Sequence, residues 1–176
     1  TSQAAERIYR ARPTDAPATL KITCKIEENA RLEWLPHSTI FFEGSRFFRH
    51  MQVEMATSSE FLFLESRVLG RKGSGEVLTH LSLRDRLSIK RDGKLLLEDM
   101  LRLESKDVAT LLAQAAVSSG QCALTTLVLV SPRAINLLAS ARACLQSLEI
   151  TGFAVSAWNG MLVIRGLAER GWLLAK

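Results

Sequence analysis

Cysteine is scarce in this sequence, with three residues among 176, at Cys24, Cys122 and Cys144. An odd number at wide spacing argues against a disulfide framework and indicates a reducing compartment, for which the cytoplasm is the simplest placement. The longest uncharged stretch, 108–132, contains Gln, Ser, Thr and Gly residues, so we interpret it as folded structure and predict no contact with a membrane.

The motifs of tight metal binding and of hydrolysis are also missing. No Cys-x-x-Cys or His-x-x-x-His spacing occurs, so a closed metal site is not predicted, although weak coordination by carboxylates and single histidines would leave no spacing signature. There is no Gly-x-Ser-x-Gly, and the glycine-rich RKGSGE at 71–76 lacks the phosphate-loop pattern. We therefore predict neither an enzyme nor a tightly bound cofactor.

Positive charge is in mild excess but is scattered. The net charge is +5, and the densest basic cluster, at 84–94, contains Asp85 and Asp92 and lies away from most of the aromatic residues. Nucleic-acid binders usually combine a basic stripe with aromatic side chains for base stacking. A solvated hairpin face explains the cluster better, and we predict no nucleic-acid partner.

Short strands dominate the first hundred residues. Apolar and polar residues alternate in several runs, and turn signals recur about every 8–12 residues, as in layered all-β proteins. Within RLEWLPHSTIFFEGSR (31–46), Pro36 should separate two strands into strand, corner, strand. The predicted strands are Leu20–Glu27, Arg31–Trp34, Ser38–Phe42, Phe47–Met55, Phe61–Leu69, Glu76–Leu83, Leu87–Arg91 and Lys94–Leu103, and Asp92-Gly93 predicts a hairpin turn.

The pattern changes after Leu103. Ser105 could cap a helix over Lys106–Val117, and Ser131-Pro132 is a helix start followed by apolar residues at three- and four-residue spacing. Further strands are predicted at Cys122–Val130, Glu149–Trp158 and Met161–Ile164, with a hairpin turn at Asn159-Gly160. We predict a mainly β (α+β) fold, a layered or β-helix-like stack of short strands with two helices in the C-terminal half. It should be a single domain (1–176), in which 105–176 packs on the strand body 1–104.

Several blocks together resemble one family. The 31–46 stretch resembles the central block of the urease accessory proteins called UreD, or UreH. Four other blocks resemble the same family in the same order: TSQAAERIYR (1–10), Leu69-Gly70-Arg71 with Gly75-Glu76, the 86–103 hairpin, and MLVIRGL (161–167). His37 and Ser45 depart from the residues commoner there, and Arg7 replaces a usual Lys. The family's Gly-Gly-Asp block and final helix are not in this sequence, so we interpret it as a partial chain.

The resemblance implies a function in nickel insertion. It implies an accessory scaffold that binds apo-urease and UreF, and UreG through UreF, in an accessory complex that can form a dimer. It also implies a passage for Ni²⁺ in transit. Asp99 falls at an acidic position that the family associates with nickel passage, and His80 and Glu33 could line or support the route.

Asp99 also stands out from the pattern of its own strand. The pair Glu98-Asp99 interrupts an apolar run, so one carboxylate should point inward, which is costly unless it is paired or hydrated. The structural alternative is an ion pair with an arginine such as Arg102 or Arg71. The alternative function is a β-rich ligand-binding module, or a small enzyme, unrelated to urease.

Overall fold

The chain winds between two β-sheets. The structure, a computed structural model, describes residues 1–12, 14–148 and 151–175. Its strands are β1 (Glu6–Ile8), β2 (Ala18–Ile26), β3 (Arg31–Trp34), β4 (Thr39–Phe41), β5 (Ser45–Met55), β6 (Glu60–Leu69), β7 (Leu81–Arg91), β8 (Lys94–Ser105), β9 (Ala123–Val130), β10 (Phe153–Trp158) and β11 (Met161–Ala168). Its helices are α1 (Val108–Ala113) and α2 (Leu138–Ser147), with short 3₁₀ turns at Lys72–Ser74, Ile135–Leu137 and Gly171–Ala175.

The two sheets form two layers. One has the order β2-β5-β7-β8, and the other has the order β1-β4-β6-β9-β11-β10, with β3 also paired to β6. From β2 to β7 the chain crosses between the sheets, so β2, β5 and β7 are parallel neighbours, as are β3 and β4 with β6. This winding confirms the predicted layered, β-helix-like fold with two helices in the C-terminal half.

The 31–46 stretch has the predicted strand, corner, strand form. β3 and β4 pair with the same edge of β6, with Trp34 opposite Phe63 and Thr39 opposite Arg67. The corner at 35–38 therefore spans residues 64–66 of β6, which pair with β9 on the other edge but with neither β3 nor β4 on this one. Pro36 lacks the N–H that a continuous ladder would need there.

Both predicted hairpins are confirmed. Asp92 and Gly93 have φ of 49° and 73°, and Asn159 and Gly160 have φ of 50° and 75°. These positive values are what a type I′ turn requires. The turns join β7 to β8 and β10 to β11 as antiparallel pairs.

The region before β7 differs from the prediction. The two strands expected at Glu76–Leu83 and Leu87–Arg91 are one strand, Leu81–Arg91, and 76–80 has no regular structure. The carboxylate of Glu43 accepts the backbone N–H groups of Thr79 and His80, at 2.6 and 3.1 Å. Because these donors bond to a side chain, the β-prone sequence is not used in a ladder there.

The helices are shorter than predicted. α1 covers 108–113 of the expected 106–117, and its N-cap is Asp107, which accepts from the N–H of Thr110 at 3.0 Å. Ser105 instead accepts from the N–H of Asp107 at 2.9 Å. The helix expected from Ser131-Pro132 begins as turns and 3₁₀ structure and becomes α-helical at Leu138. The start of the strand expected at 149–158 lies partly outside the described residues.

The inward faces of the two sheets enclose two apolar clusters. One contains Met51, Phe61 and Ile89, and the other contains Phe47, Leu69 and Leu83. A third, smaller cluster lies where α2 covers β10 and β11. No helix among the described residues is long and apolar enough to cross a bilayer.

Candidate functional site: a charged layer between two sheets

Four charged residues lie inside the sandwich, between the two larger apolar clusters. They are Arg49 on β5, Glu65 and Arg67 on β6, and Asp85 on β7, and they are 7%, 1%, 5% and 5% exposed. We call them the buried ionic cluster. Their positions follow from strand periodicity, since each is two residues from a buried apolar side chain on its own strand. They therefore face the opposite sheet.

The four side chains pair with one another. Arg49 contacts Asp85 through two hydrogen bonds, of 2.8 and 2.5 Å, and contacts Oε1 of Glu65 at 2.8 Å. The Nε of Arg67 donates to Oδ2 of Asp85 at 2.5 Å. The Arg49–Glu65 and Arg67–Asp85 contacts join one sheet to the other. The formal charges cancel, which is the condition under which such groups tolerate burial.

In this cluster, ion pairing affects the pKa values of Asp85 and Arg49 more strongly than burial does. Burial by itself would raise the pKa of Asp85, but the charges and hydrogen bonds of Arg67 and Arg49 outweigh it, and the net pKa is lowered. Burial by itself would lower the pKa of Arg49, and the contacts with Asp85 and Glu65 raise it instead. Both groups therefore stay charged in the folded state at neutral pH.

One oxygen of the cluster is unsatisfied. Oε1 of Glu65 also accepts the hydroxyl of Thr39 at 3.2 Å, whereas Oε2 is buried with no hydrogen-bond partner among the described residues. Glu65 lies opposite Thr126 on β9, and Thr126 lies opposite Arg165 on β11. With strands about 5 Å apart, this row places Arg165 roughly 10 Å across the sheet from Glu65.

Of the pair Glu98-Asp99, in which one carboxylate was predicted to point inward, Asp99 is the inward one, and it lies at the end of this row. It follows Leu97 and precedes Leu101 on the inward face of β8, and its side chain is 26% exposed. Its Oδ1 accepts from Arg165 of the opposite sheet at 2.6 Å. The ion pair that sequence analysis offered as the structural alternative is thus present, but with Arg165 and not with Arg102 or Arg71.

The other two predicted residues lie elsewhere. His80 precedes β7, and its Nδ1 lies 2.8 Å from the hydroxyl of Thr79 and 3.1 Å from Glu43. Glu33 is on the exposed face of β3 and pairs with Arg31 at 2.6 Å. No contact within the described residues joins Asp99, His80 and Glu33.

Metal-ligating side chains are not grouped. No cluster of three or more His, Cys, Asp or Glu residues suited to a metal ion occurs in the described part of the chain. The single carboxylates of the polar row are oxygen donors, which bind divalent ions weakly and reversibly when few in number. The arrangement fits passing contact with an ion better than tight capture.

The buried ionic cluster was not predicted, although the sequence of the strands contains a signal for it. Glu65 and Arg67 interrupt the run Phe61–Leu69 on the same face as its buried aromatic residues. Arg49 shares a face with Met51, and Asp85 shares a face with Leu87. Opposite charges at alternate positions on strands that face the core could have indicated a paired layer.

Comparison with known proteins gives one consistent family. A family model described as "UreD urease accessory protein" matches residues 1–176. The chain is 39% identical over 176 residues to "Urease accessory protein UreD" of Paracoccus denitrificans. It is 40% identical over 176 residues to the protein of that name from Rhizobium leguminosarum bv. trifolii, and 38% identical over 178 residues to that of Agrobacterium fabrum. Each match covers 100% of this chain and 62%, 62% and 60% of the relatives, so the chain spans about three-fifths of their length.

Removing the acidic centre of the buried ionic cluster should destabilise the fold. In an Asp85→Asn variant, Arg49 and Arg67 remain buried with only Glu65 to balance them. We expect the free energy of unfolding to fall by about 3–5 kcal/mol. Chemical denaturation measures it. A Glu27→Gln variant is the control, because Glu27 pairs with Lys25 where the side chains are 72% and 73% exposed, and its midpoint should not move. Equal stability of the two variants would contradict the structural role of the cluster.

The lowered pKa of Asp85 gives the cluster a defined pH dependence. A carboxyl group whose pKa is lower in the folded than in the unfolded chain stabilises the fold fully above the unfolded pKa, at about 3.9. That contribution is lost as the pH falls through the folded pKa. We expect the Asp85 carboxyl carbon, followed by NMR, to titrate below the ordinary Asp range, whereas a titration within that range would contradict the pairing.

Proposed function

The chain belongs to the UreD family of urease accessory proteins, and on that premise we propose that it is a non-enzymatic scaffold for inserting nickel into urease. Membership of the family supports a role in urease assembly. We assign nickel passage to the layer between the sheets and partner binding to the surface around α2. We assign both functions to the part of the protein that this chain represents, and we place that protein in the cytoplasm.

The observation that carries the nickel proposal is the polar row through the sandwich. The buried ionic cluster, Thr126 and the Asp99–Arg165 pair form a polar line between two apolar clusters. A passage for a divalent ion needs oxygen donors that are spaced singly, so that the ion can bind and leave. Oε2 of Glu65 and the carboxylate of Asp99 are such donors, and we assign Asp99 to the route.

His80 and Glu33 have weaker support as parts of this route. Their side chains face solvent at the edges of the structure, away from the row between the sheets. We therefore restrict them to a supporting role, in which they meet the ion outside the sandwich. Asp99 remains the residue on which the route can be tested.

Partner binding is the second component of the proposal. Around α2, three apolar side chains are exposed: Ile135 (53%), Leu137 (43%) and Leu148 (47%). Exposed apolar side chains within one surface segment, here 135–148, favour a protein interface. We propose that this surface binds UreF and that UreG joins the complex through UreF. Another face of the protein binds apo-urease. The accessory complex can form a dimer.

Replacing Asp99 should lower nickel loading while the fold is retained. In an Asp99→Asn variant the side chain keeps its size but loses its charge, and Arg165, which is 57% exposed, can be hydrated. We expect urease activation in a reconstituted accessory system to fall several-fold, with an unchanged unfolding midpoint. An Arg165→Gln variant is the matched control, because it breaks the same ion pair but keeps the carboxylate. Unchanged activation by Asp99→Asn, or equal loss in both variants, would remove Asp99 from the route.

The partner surface can be tested by complex formation. We expect the protein to elute with UreF as a stable complex in size-exclusion chromatography, and a Leu137→Asp variant to weaken that complex because the charge would be buried in the interface. Leu95→Asp is the control, since Leu95 is 60% exposed at the 92–93 hairpin of the other sheet. Equal binding by both variants would exclude the α2 surface as the UreF site.

A further inference from the structure

An open cleft of about 860 Å³ lies at the end of the sandwich where β5 and β7 begin. Its base is formed by Gly44 and Ser45 together with Thr79 and His80. Four cationic side chains line it: Arg10, Arg12, Arg46 and Lys106. Two carboxylates line it as well, those of Glu43 and Glu104. We call this feature the cationic cleft.

Two of the cations are fixed in place by neutral groups. Nε of Arg10 donates to the backbone carbonyl of Glu43 at 3.4 Å, and the stem of Arg10 packs over Gly44, where a Cβ would lie 3.1 Å from it. Arg46 donates to the backbone carbonyl of Asp15. A carbonyl orients a guanidinium group without cancelling its charge. Arg10 therefore keeps its positive charge at the cleft.

Three cations of the cleft, Arg10, Arg12 and Lys106, have no acidic partner among the described residues. Within the described residues, the structure contains no ion pair of Arg10, Arg12 or Lys106 with a carboxylate, whereas Arg31, Arg84, Arg86 and Arg102 all have one. The nearby carboxylate of Asp15 accepts the backbone N–H of Arg12 at 3.2 Å and not its guanidinium group. The positive charge of these side chains is available to a ligand.

The two carboxylates of the cleft are already engaged. Glu43 accepts from Thr79 and from the backbone N–H of His80, and these hydrogen bonds outweigh burial, so its pKa is lowered. Glu104 accepts from Arg84 at 2.5 Å and from Arg102 at 2.6 Å. Glu104 is therefore neutralised by two arginines outside the cleft, whereas Glu43, whose donors are neutral, keeps a single negative charge beside the more numerous cations. The hydroxyl of Ser45, a residue of the lining, is fully buried with no hydrogen-bond partner among the described residues.

We propose that the cationic cleft binds a compact oxyanion that carries two or more negative charges, of the phosphoryl or polycarboxylate type. Arginine and lysine side chains recognise such groups through charge-assisted hydrogen bonds. The volume is that of a small-molecule site. The lining has no Phe, Tyr or Trp ring on which a nucleobase could stack, which favours a small anion over a nucleotide. This site does not include Asp99 or the buried ionic cluster, although His80, which has a supporting role in the proposed nickel route, is one of its lining residues.

The test is titration calorimetry of the full-length protein with pyrophosphate and, separately, with citrate, at constant ionic strength. The two probes share the charge but distinguish the phosphoryl from the carboxylate class. We expect saturable binding of at least one of them with a stoichiometry of one. A Lys106→Gln variant should weaken binding about threefold. The double variant Arg10→Gln with Lys106→Gln should weaken it about tenfold or more.

The control separates a built site from general attraction. A double variant of Lys25→Gln with Lys94→Gln removes the same charge from exposed positions outside the cleft. It should bind the anion as the unmodified protein does. Absence of saturable binding of either probe, or equal weakening by the control and the cleft variants, would overturn the proposal. The Lys106→Gln variant should fold as the unmodified protein does, because Lys106 makes no side-chain hydrogen bond or ion pair within the described residues. A loss of binding in this variant therefore reports on the cleft and not on the fold.

Discussion

Two ion pairs that cross between the sheets, Arg49 with Glu65 and Arg67 with Asp85, control how the layers of this protein meet. The burial of apolar side chains is non-directional and does not specify a partner, but buried charges cannot be left without one. The four residues are at most 7% exposed, so they have no access to bulk water as an alternative. The sheets are therefore held in the one alignment that satisfies all four charges.

The four buried charges also divide the apolar interior of the sandwich into two parts. The charged layer separates the apolar cluster around Phe61 and Ile89 from the cluster around Phe47 and Leu83. It continues through Thr126 to Arg165 and Asp99, where side chains become partly exposed. A polar line that crosses an otherwise apolar interior is costly to maintain, and the proposed nickel route gives it a purpose beyond holding the sheets together.

Local sequence predicted the strands and turns well because their signals are short-range. The alternation around β5, the break at Pro36, and the Asp92-Gly93 and Asn159-Gly160 turns all act within a few residues of themselves. The region 76–80 was mispredicted because Glu43, more than thirty residues earlier, takes the backbone donors of Thr79 and His80. The N-cap of α1 is Asp107 and not the predicted Ser105, because the side chain of Asp107 accepts the backbone N–H of Thr110.

The sequence by itself determined the mainly β fold, the two helices, the presence of one inward carboxylate in the pair Glu98-Asp99, and the resemblance to the UreD family. Only the tertiary structure decided that Arg165 pairs with Asp99, that Arg49, Glu65, Arg67 and Asp85 form one cluster, and that His80 and Glu33 lie apart from them. Alternation along a strand fixes which face a side chain occupies. Which residue it meets depends on the crossing of the chain between two sheets, and that is set by pairings between residues far apart in the sequence.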